Sequence, residues 1–439
     1  MHTLEQLRSG SLKGTMRLKL SCNLTEFPTE IFSLADSLEI LDLTDNNLSS
    51  LPDELEQLTK LKVLFCSKNL FQHLPSVLGR CHNLTMVGFK SNQISEVPSE
   101  SLSPSLRWLI LTDNCISALP DSIGQCSKLQ KLMLAGNRLT SLPKSLASCH
   151  QLELLRISAN QLTHLPNWLL SLPKLTWLAF AGNPFVGQLE KNALDIKLES
   201  IDWKNLEVSQ LLGEGASGLI YRARLSQGKT TKDVAVKLFK GAMTSDGLPL
   251  CEMASIIKAG QHPSLTQAIG KIQSHPENTD GLVMKLIPSD IGTLAGPPSL
   301  SSCTRDIYPP EAQFSVSQLF KIIQSIADAV GHLHRQGIIH GDLYAHNILI
   351  TPSGDTFLSD YGAASFLNLA DQDQSSNLRR LEVRAFGYLL KELLERCYDI
   401  EEHTHHRLEA LALTCLDPSK SNRPEMDEIS HLLHEMTLE

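Results

Sequence analysis

Asparagine recurs at positions 46, 69, 92, 114, 137, 160 and 183, in steps of 23 with a single step of 22. Each sits in the same frame, set out by Leu38-x-x-Leu41-x-Leu43-x-x-Asn46-x-Leu48-x-x-Leu51-Pro52. Pro75, Pro98, Pro120, Pro143 and Pro166 keep step with Pro52, and an earlier copy, Leu18-x-Leu20-x-x-Asn23 with Phe27-Pro28, is one residue short. A period of this length demands stacked units, because each copy buries its apolar face only against its neighbours. Leucines two apart lie on one face of a short strand and point into a common core. The asparagine amide both donates and accepts, so it can satisfy backbone groups in the turns of its own and the adjacent copy. One parallel sheet on the concave side of an arc is expected, with Gly182-Asn-Pro-Phe185 as its closing turn.

Over roughly residues 12–187 this pattern resembles the leucine-rich repeat family, with eight copies in register. Positions between the core leucines should face the concave side. One column reads Ile40, Val63, Met86, Trp108, Lys131, Leu154, Trp177, and the next Asp42, Phe65, Gly88, Ile110, Met133, Arg156, Ala179. Solvated sheet faces are usually polar. Phe65, Met86, Trp108, Ile110, Met133 and Trp177 are therefore candidates for a partner-binding patch, the alternative being that the other half of the chain covers them.

The 439 residues suffice for two or three domains, and 42% apolar with 20% charged residues predicts packed globules. A net charge of −9 argues against general binding to nucleic acid or anionic membranes. There is no run of eighteen apolar residues and no basic-then-apolar start, so neither a membrane span nor a secretory signal is expected. Of ten cysteines, Cys81, Cys126 and Cys149 share one repeat slot and read as small buried residues. A reducing cytoplasm is the expected location.

Past the repeats, 188–202 reads as a short connector, and a new strand pattern starts at Trp203. Leu211-Leu-Gly213-Glu-Gly215-Ala-Ser-Gly218-Leu-Ile220 carries spaced glycines, which let backbone approach phosphates. Val234-Ala-Val-Lys237 is a strand ending in lysine, Glu252 lies on an amphipathic helix ending near Gly260, and Gly281–Ile287 is another apolar strand. The stretch 289–310, rich in Ser, Pro and Gly, reads as a mobile inserted loop, and Val316 to Arg335 as a strong helix. Then come His340-Gly-Asp-Leu-Tyr-Ala-His-Asn347, two short strands Ile348–Ile350 and Thr356–Leu358, and Asp360-Tyr-Gly362. Asp342, Asn347 and Asp360 would stand on one edge of that hairpin. Two carboxylates and an amide oxygen make hard ligands for Mg²⁺, with one carboxylate left to orient a hydroxyl.

These motifs, in this order over about 203–435, resemble protein kinases. The whole chain thus reads as an α/β leucine-rich-repeat solenoid (1–187) followed by an α+β bilobal protein-kinase-like domain. The resemblance implies ATP and Mg²⁺ as cofactors. It implies that Lys237 orients the triphosphate and is held by Glu252, that Asp342 takes or orients the substrate proton, and that Asn347 and Asp360 hold Mg²⁺. Leu212, Gly213, Gly215, Gly218, Ile220, Ala235, Lys237, Met284 and Leu286 would surround ATP. Glu382-Val-Arg-Ala-Phe-Gly387 would begin a helix, and Arg423-Pro424 would close the domain.

Departures from the pattern matter. Gly341 stands where an arginine is usual, and Tyr344 where serine/threonine kinases carry a phosphate-contacting lysine. His346 reads as a packing residue, with a partial substitute for that lysine as the alternative. Only twenty-one residues separate Asp360 from Glu382, so the peptide-docking part is short and Arg423 lacks its usual glutamate. Ser375 and Ser376 fall in a polar loop, and His403-Thr-His-His406 reads as a solvated interhelical loop. The expected function is a Ser/Thr protein kinase whose repeats select partners. A non-catalytic scaffold and a small-molecule phosphotransferase, which shares the His-Gly-Asp-x-x-x-x-Asn pattern, are the alternatives.

Overall fold

The computed structural model describes residues 2–241, 243–287 and 290–438. It divides into two compact units, Met1–Leu175 and Thr176–Glu439.

The first unit begins with a short helix, α1 (Leu4–Arg8), closed by a capping box of Thr3 and Gln6. Seven three-residue strands follow: β1 (Arg17–Lys19), β2 (Ile40–Asp42), β3 (Val63–Phe65), β4 (Met86–Gly88), β5 (Trp108–Ile110), β6 (Lys131–Met133) and β7 (Leu154–Arg156). They pair in parallel in chain order, Ile40 beside Val63, Val63 beside Met86, Met86 beside Trp108. From Pro52 onward the repeat prolines precede short 3₁₀ turns, as at Asp53–Gln57. Proline fits there because its fixed φ starts a helical turn and its missing N–H is not needed. The central strand residues Leu41, Leu64, Leu109, Leu132 and Leu155 are fully buried.

The asparagines do what their chemistry suggested. Asn137 Nδ2 donates to Leu111 O at 2.9 Å and Leu134 O at 3.0 Å, and its Oδ1 accepts from Ile116 N at 3.0 Å. The residue just before each asparagine has positive φ: Asp45, Lys68, Ser91, Asp113, Gly136, Ala159, Gly182. Only two of these seven are glycine, so this left-handed turn could not be read from composition. Cys81, Cys126 and Cys149 lie buried at the ends of the 3₁₀ turns, and burial pushes the Cys126 thiol up to about 12. The two columns of the candidate patch are more enclosed than expected. Met86 and Met133 are buried, while Phe65, Trp108 and Ile110 are half-buried, with the Lys131 ammonium 4.4 Å from the Trp108 ring centre.

The second compact unit includes the eighth repeat strand, β8 (Trp177–Ala179). The expected short connector holds α2 (Gly187–Leu194) and β9 (Glu199–Asp202). Next come β10 (Leu206–Glu214), β11 (Gly218–Gln227), β12 (Thr230–Phe239), α3 (Pro249–Ala259), β13 (Ala268–Gln273) and β14 (Gly281–Lys285). These form a sheet in the order β10-β11-β12-β14-β13-β9, antiparallel except for β13 beside β9. Ile201, Leu225, Val234, Val236 and Val283 form the core of that sheet.

After β15 (Gly292–Thr293) runs the 20-residue helix α4 (Val316–Arg335), opened by a capping box of Ser315 and Gln318. Then follow β16 (Ile338–Ile339), β17 (Ile348–Ile350), β18 (Thr356–Leu358), β19 (Ser365–Phe366), α5 (Gln372–Leu394), α6 (Glu402–Cys415) and α7 (Met426–Leu438).

Four expectations need correction. Apart from Ser289, which lies outside the described residues, the stretch read as a mobile loop packs down. Cys303, Thr304 and Tyr308 are buried there, and Arg305 pairs with Glu392. The helix read as starting at Glu382 starts at Gln372, capped by Asp371, so Glu382 is mid-helix. Ser375 is consequently buried in the first turns of that helix, donating to Asn368 O at 2.7 Å, and Ser376 donates to Glu425. His403, His405 and His406 lie on α6 rather than in a loop.

Candidate active site

The glycine-rich turn joins β10 to β11. Gly215 N donates to Gly218 O at 2.9 Å. A Cβ at Gly218 would stand 2.4 Å from Leu238 O on the neighbouring strand, so only glycine fits. Gly213 and Gly215 face open space. Lys240 ties the turn down, reaching Glu214 at 2.6 Å and Gly215 O at 3.3 Å. Sequence reasoning passed over Lys240, because a lysine one residue beyond a strand carries no distinguishing signal.

Pairing of the strands then sets an apolar surface. Ile220 sits opposite Lys237, and Ala235 opposite Met284. Ala235 and Met284 are buried, Ile220 and Leu286 half-buried, and Leu212 exposed. Lys237 forms an ion pair with Glu252 of α3, and both are buried. The helix starts at Pro249, which suits a first helical position, and stops at Gly260 with φ +66°.

A second cluster forms on the 340–362 stretch. His340 is fully buried and its Nε2 bonds Ser359 O at 2.9 Å. Asn347 Nδ2 donates to Asp342 O and to Asp342 Oδ2, each at 2.9 Å. Asn347 O in turn accepts from Ser359 N at 3.0 Å and Ser359 Oγ at 2.8 Å. The β17–β18 hairpin, with Ile348 opposite Leu358, therefore brings Asp360 beside the Asp342–Asn347 pair. Asp360 has φ +59° and accepts from Gly362 N at 3.1 Å, which fixes its carboxylate. Because the Asn347 nitrogen binds Asp342, its amide oxygen is the end offered to a cation. With the Asp360 carboxylate this is an oxygen-only donor set, and it fits Mg²⁺.

Two buried anchors underlie the loop. Glu382 Oε1 accepts from Gly341 N at 2.8 Å, and Oε2 bonds His334 Nε2 at 2.8 Å. Burial works against the Glu382 charge, but the His334 bond, the charges of His334 and His340 and the Gly341 N–H outweigh it. Its carboxyl is held below the usual range. His346 is not a plain packing residue. Its Nδ1 bonds Asp306 at 2.7 Å, and its own N–H donates to the same carboxylate. Burial disfavours its charge, yet that bond and the charges of Asp306, Asp342 and Asp360 raise its pKa above the ordinary value. Nothing in the sequence linked Asp306, forty residues upstream, to this loop.

Trp177 also differs from its expected place on an open face. It is buried, stacked on Tyr344 with ring centres 4.2 Å apart. Arg423 directs its guanidinium to backbone carbonyls of Asp417, Arg380 and Pro418.

Residues 206–397 match the family described as protein tyrosine and serine/threonine kinase. Residues 82–139, 127–185 and 37–58 match leucine-rich repeat families. Among curated relatives, "Probable serine/threonine-protein kinase kinY" of Dictyostelium discoideum is 25% identical over 293 residues, 54% of this chain and 48% of that one. "Cyclin-dependent kinase 10" of Homo sapiens is 29% identical over 189 residues, 43% of this chain and 49% of that one. "L-type lectin-domain containing receptor kinase V.9" of Arabidopsis thaliana is 29% identical over 194 residues, 43% and 26% respectively. The chain spans about half or less of the length of these relatives. It carries N-terminal leucine-rich repeats followed by a protein tyrosine and serine/threonine kinase domain.

Proposed function

We propose that this protein transfers the γ-phosphate of ATP to serine or threonine hydroxyls of protein substrates, in a Mg²⁺-dependent reaction. The observation that carries the reading is the intact polar set: the Lys237–Glu252 pair, and Asp342 bonded to Asn347 beside Asp360. Lys237, fixed by Glu252, would bind the α- and β-phosphates beneath the turn that Gly213, Gly215 and Gly218 form. Leu212, Ile220, Ala235, Met284 and Leu286 would enclose adenine. Mg²⁺ on Asn347 and Asp360 would neutralise phosphate charge. Asp342, oriented by the Asn347 amide, would hold the substrate hydroxyl in line. Such a site works by positioning and charge stabilisation.

The repeats would recruit a protein partner through the half-buried apolar face of Phe65, Trp108 and Ile110. The net charge of −9 disfavours nucleic acid as that partner. A cytoplasmic location belongs to the same reading, supported by ten cysteines with no disulfide among the described residues. No helix among the described residues is long and apolar enough to cross a membrane.

The test is transfer of labelled γ-phosphate by the full chain, beside an Asp342→Asn control. Label on protein that disappears in the control supports the proposal. A scaffold without turnover is the competing reading, favoured by the short passage from Gly362 to the start of α5 at Gln372. Binding of ATP and Mg²⁺ without any transfer would establish it.

A further inference from the structure

The eighth repeat strand is built into the loop that carries the reactive groups. The Trp177 ring stacks on Tyr344 at 4.2 Å and 11°, and lies 5.9 Å from Tyr388 of α5. Its indole N–H donates to Leu343 O at 3.0 Å. One residue on, Leu178 O comes so close to Gly341 that a Cβ there would stand 2.8 Å away, and 2.6 Å from Ala363 O. Gly341 also has φ +72°, so both backbone shape and space require glycine. Two residues further, Phe180 N donates to Ser365 Oγ at 3.0 Å, on the segment leaving Asp360. The helix after the strand reaches the other cluster. Glu190 of α2 accepts from Gly182 N at 2.7 Å and bonds the Cys251 side chain, next to Glu252.

Asp342 thus has both chain neighbours pinned: Gly341 N by Glu382, and Leu343 O by Trp177. Glu382 belongs to α5. Trp177 belongs to a strand whose other copies carry Ile40, Val63, Met86, Trp108, Lys131 and Leu154 at the same place. A position that elsewhere in the array belongs to the sheet surface here grips the reactive loop. The short passage after Gly362 leaves few residues of its own to do so.

The geometry points to Trp177 as a positioning residue for phosphate transfer: a repeat-strand side chain that fixes the Asp342 backbone through Leu343 and Tyr344. This rests on the phosphotransfer reading above. Trp177 touches no reacting atom, so its removal should lower turnover and leave nucleotide binding in place. The same strand occupies the space where the pattern has an arginine, and its grip depends on no modification.

The experiment compares full-length wild type, Trp177→Ala and Trp177→Phe. It measures kcat, KM for ATP in Mg²⁺, ATP-Mg²⁺ binding by thermal shift, and hydrogen exchange of peptides covering 341–347 and 361–367. Phe keeps a six-membered ring for Tyr344 and loses the N–H to Leu343 together with the second indole ring, a smaller change than alanine, so it guards against a variant that fails to fold. For Trp177→Ala, kcat should fall on the order of 10- to 100-fold with KM for ATP within about twofold, and exchange at 341–347 should quicken. Trp177→Phe should lose roughly threefold to tenfold in kcat. Unchanged kcat in folded Trp177→Ala overturns the inference. So does a loss of kcat in both variants that only tracks loss of ATP binding and melting temperature, which is a purely structural role. A wild type that binds ATP-Mg²⁺ but transfers nothing sinks the phosphotransfer reading, and with it Trp177's part in turnover. Quickened exchange at 341–347 would then still establish the grip on the loop, and unchanged exchange would remove that as well.

Discussion

Asn347 Nδ2 donates to the Asp342 carboxylate at 2.9 Å, five residues back along the same loop. The bond fixes the direction in which Asp342 presents its other oxygen and, by using the amide nitrogen, leaves the Asn347 oxygen as the end offered to a cation. Asp342→Asn keeps the size of the side chain and removes the acceptor proposed to take the substrate proton. Phosphate transfer should fall by on the order of 10²–10⁴-fold while ATP still raises the melting temperature. Single-turnover transfer beside thermal shift measures both.

The Lys237–Glu252 pair is buried on both sides, and Glu252 Oε2 has no hydrogen-bond partner among the described residues. Lys237→Met should destabilise the second unit by about 3–5 kcal/mol, since it leaves a buried carboxylate unpaired. The double variant Lys237→Met/Glu252→Leu should recover part of that stability and none of the ATP binding. Urea unfolding with and without nucleotide separates the two effects.

The glycines of the turn should divide cleanly. Gly218→Ala drives a Cβ against Leu238 O and should cost about 1–3 kcal/mol of stability. Gly213→Ala meets nothing and should leave the melting temperature near wild type, raising KM for ATP instead. Equal melting temperatures for the two variants would count against the strand register described here.

Glu382 supplies a pH signature. Its ordinary pKa is 4.5 and the fold lowers it, so its contribution is fully present above about 4.5 and is lost as pH falls through the lowered value. Glu382→Gln should therefore lose about 3 kcal/mol at neutral pH, with the gap to wild type closing in acid. Denaturant midpoints from pH 7 down to 3 would trace that convergence.

Ala159 occupies a left-handed turn with φ +51°, where glycine stands in two equivalent repeats. Relief of a strain of roughly 1–2 kcal/mol, set against the greater flexibility of unfolded glycine, predicts that Ala159→Gly stabilises the first unit by up to about 1 kcal/mol. ATP binding should not change. Thermal melts of the full chain, followed at the repeat transition, test it.

Periodicity and local motif were enough to read the repeats, their strands, and the buried asparagines and cysteines. The Lys237–Glu252 pair was legible only through the resemblance of the motifs to protein kinases. The repeats follow from chain-local geometry, since side chains two apart share a strand face. The Val316–Arg335 helix was legible for the same reason. What the tertiary structure alone decided are contacts between residues far apart in the chain. Asp306 meets His346, Glu382 meets Gly341, and Trp177 reaches Leu343 across 166 positions. No period or spacing encodes such meetings, because they follow from how whole elements pack. That packing also explains how the strand that reads as the last copy of a repeat comes to touch the loop that carries Asp342.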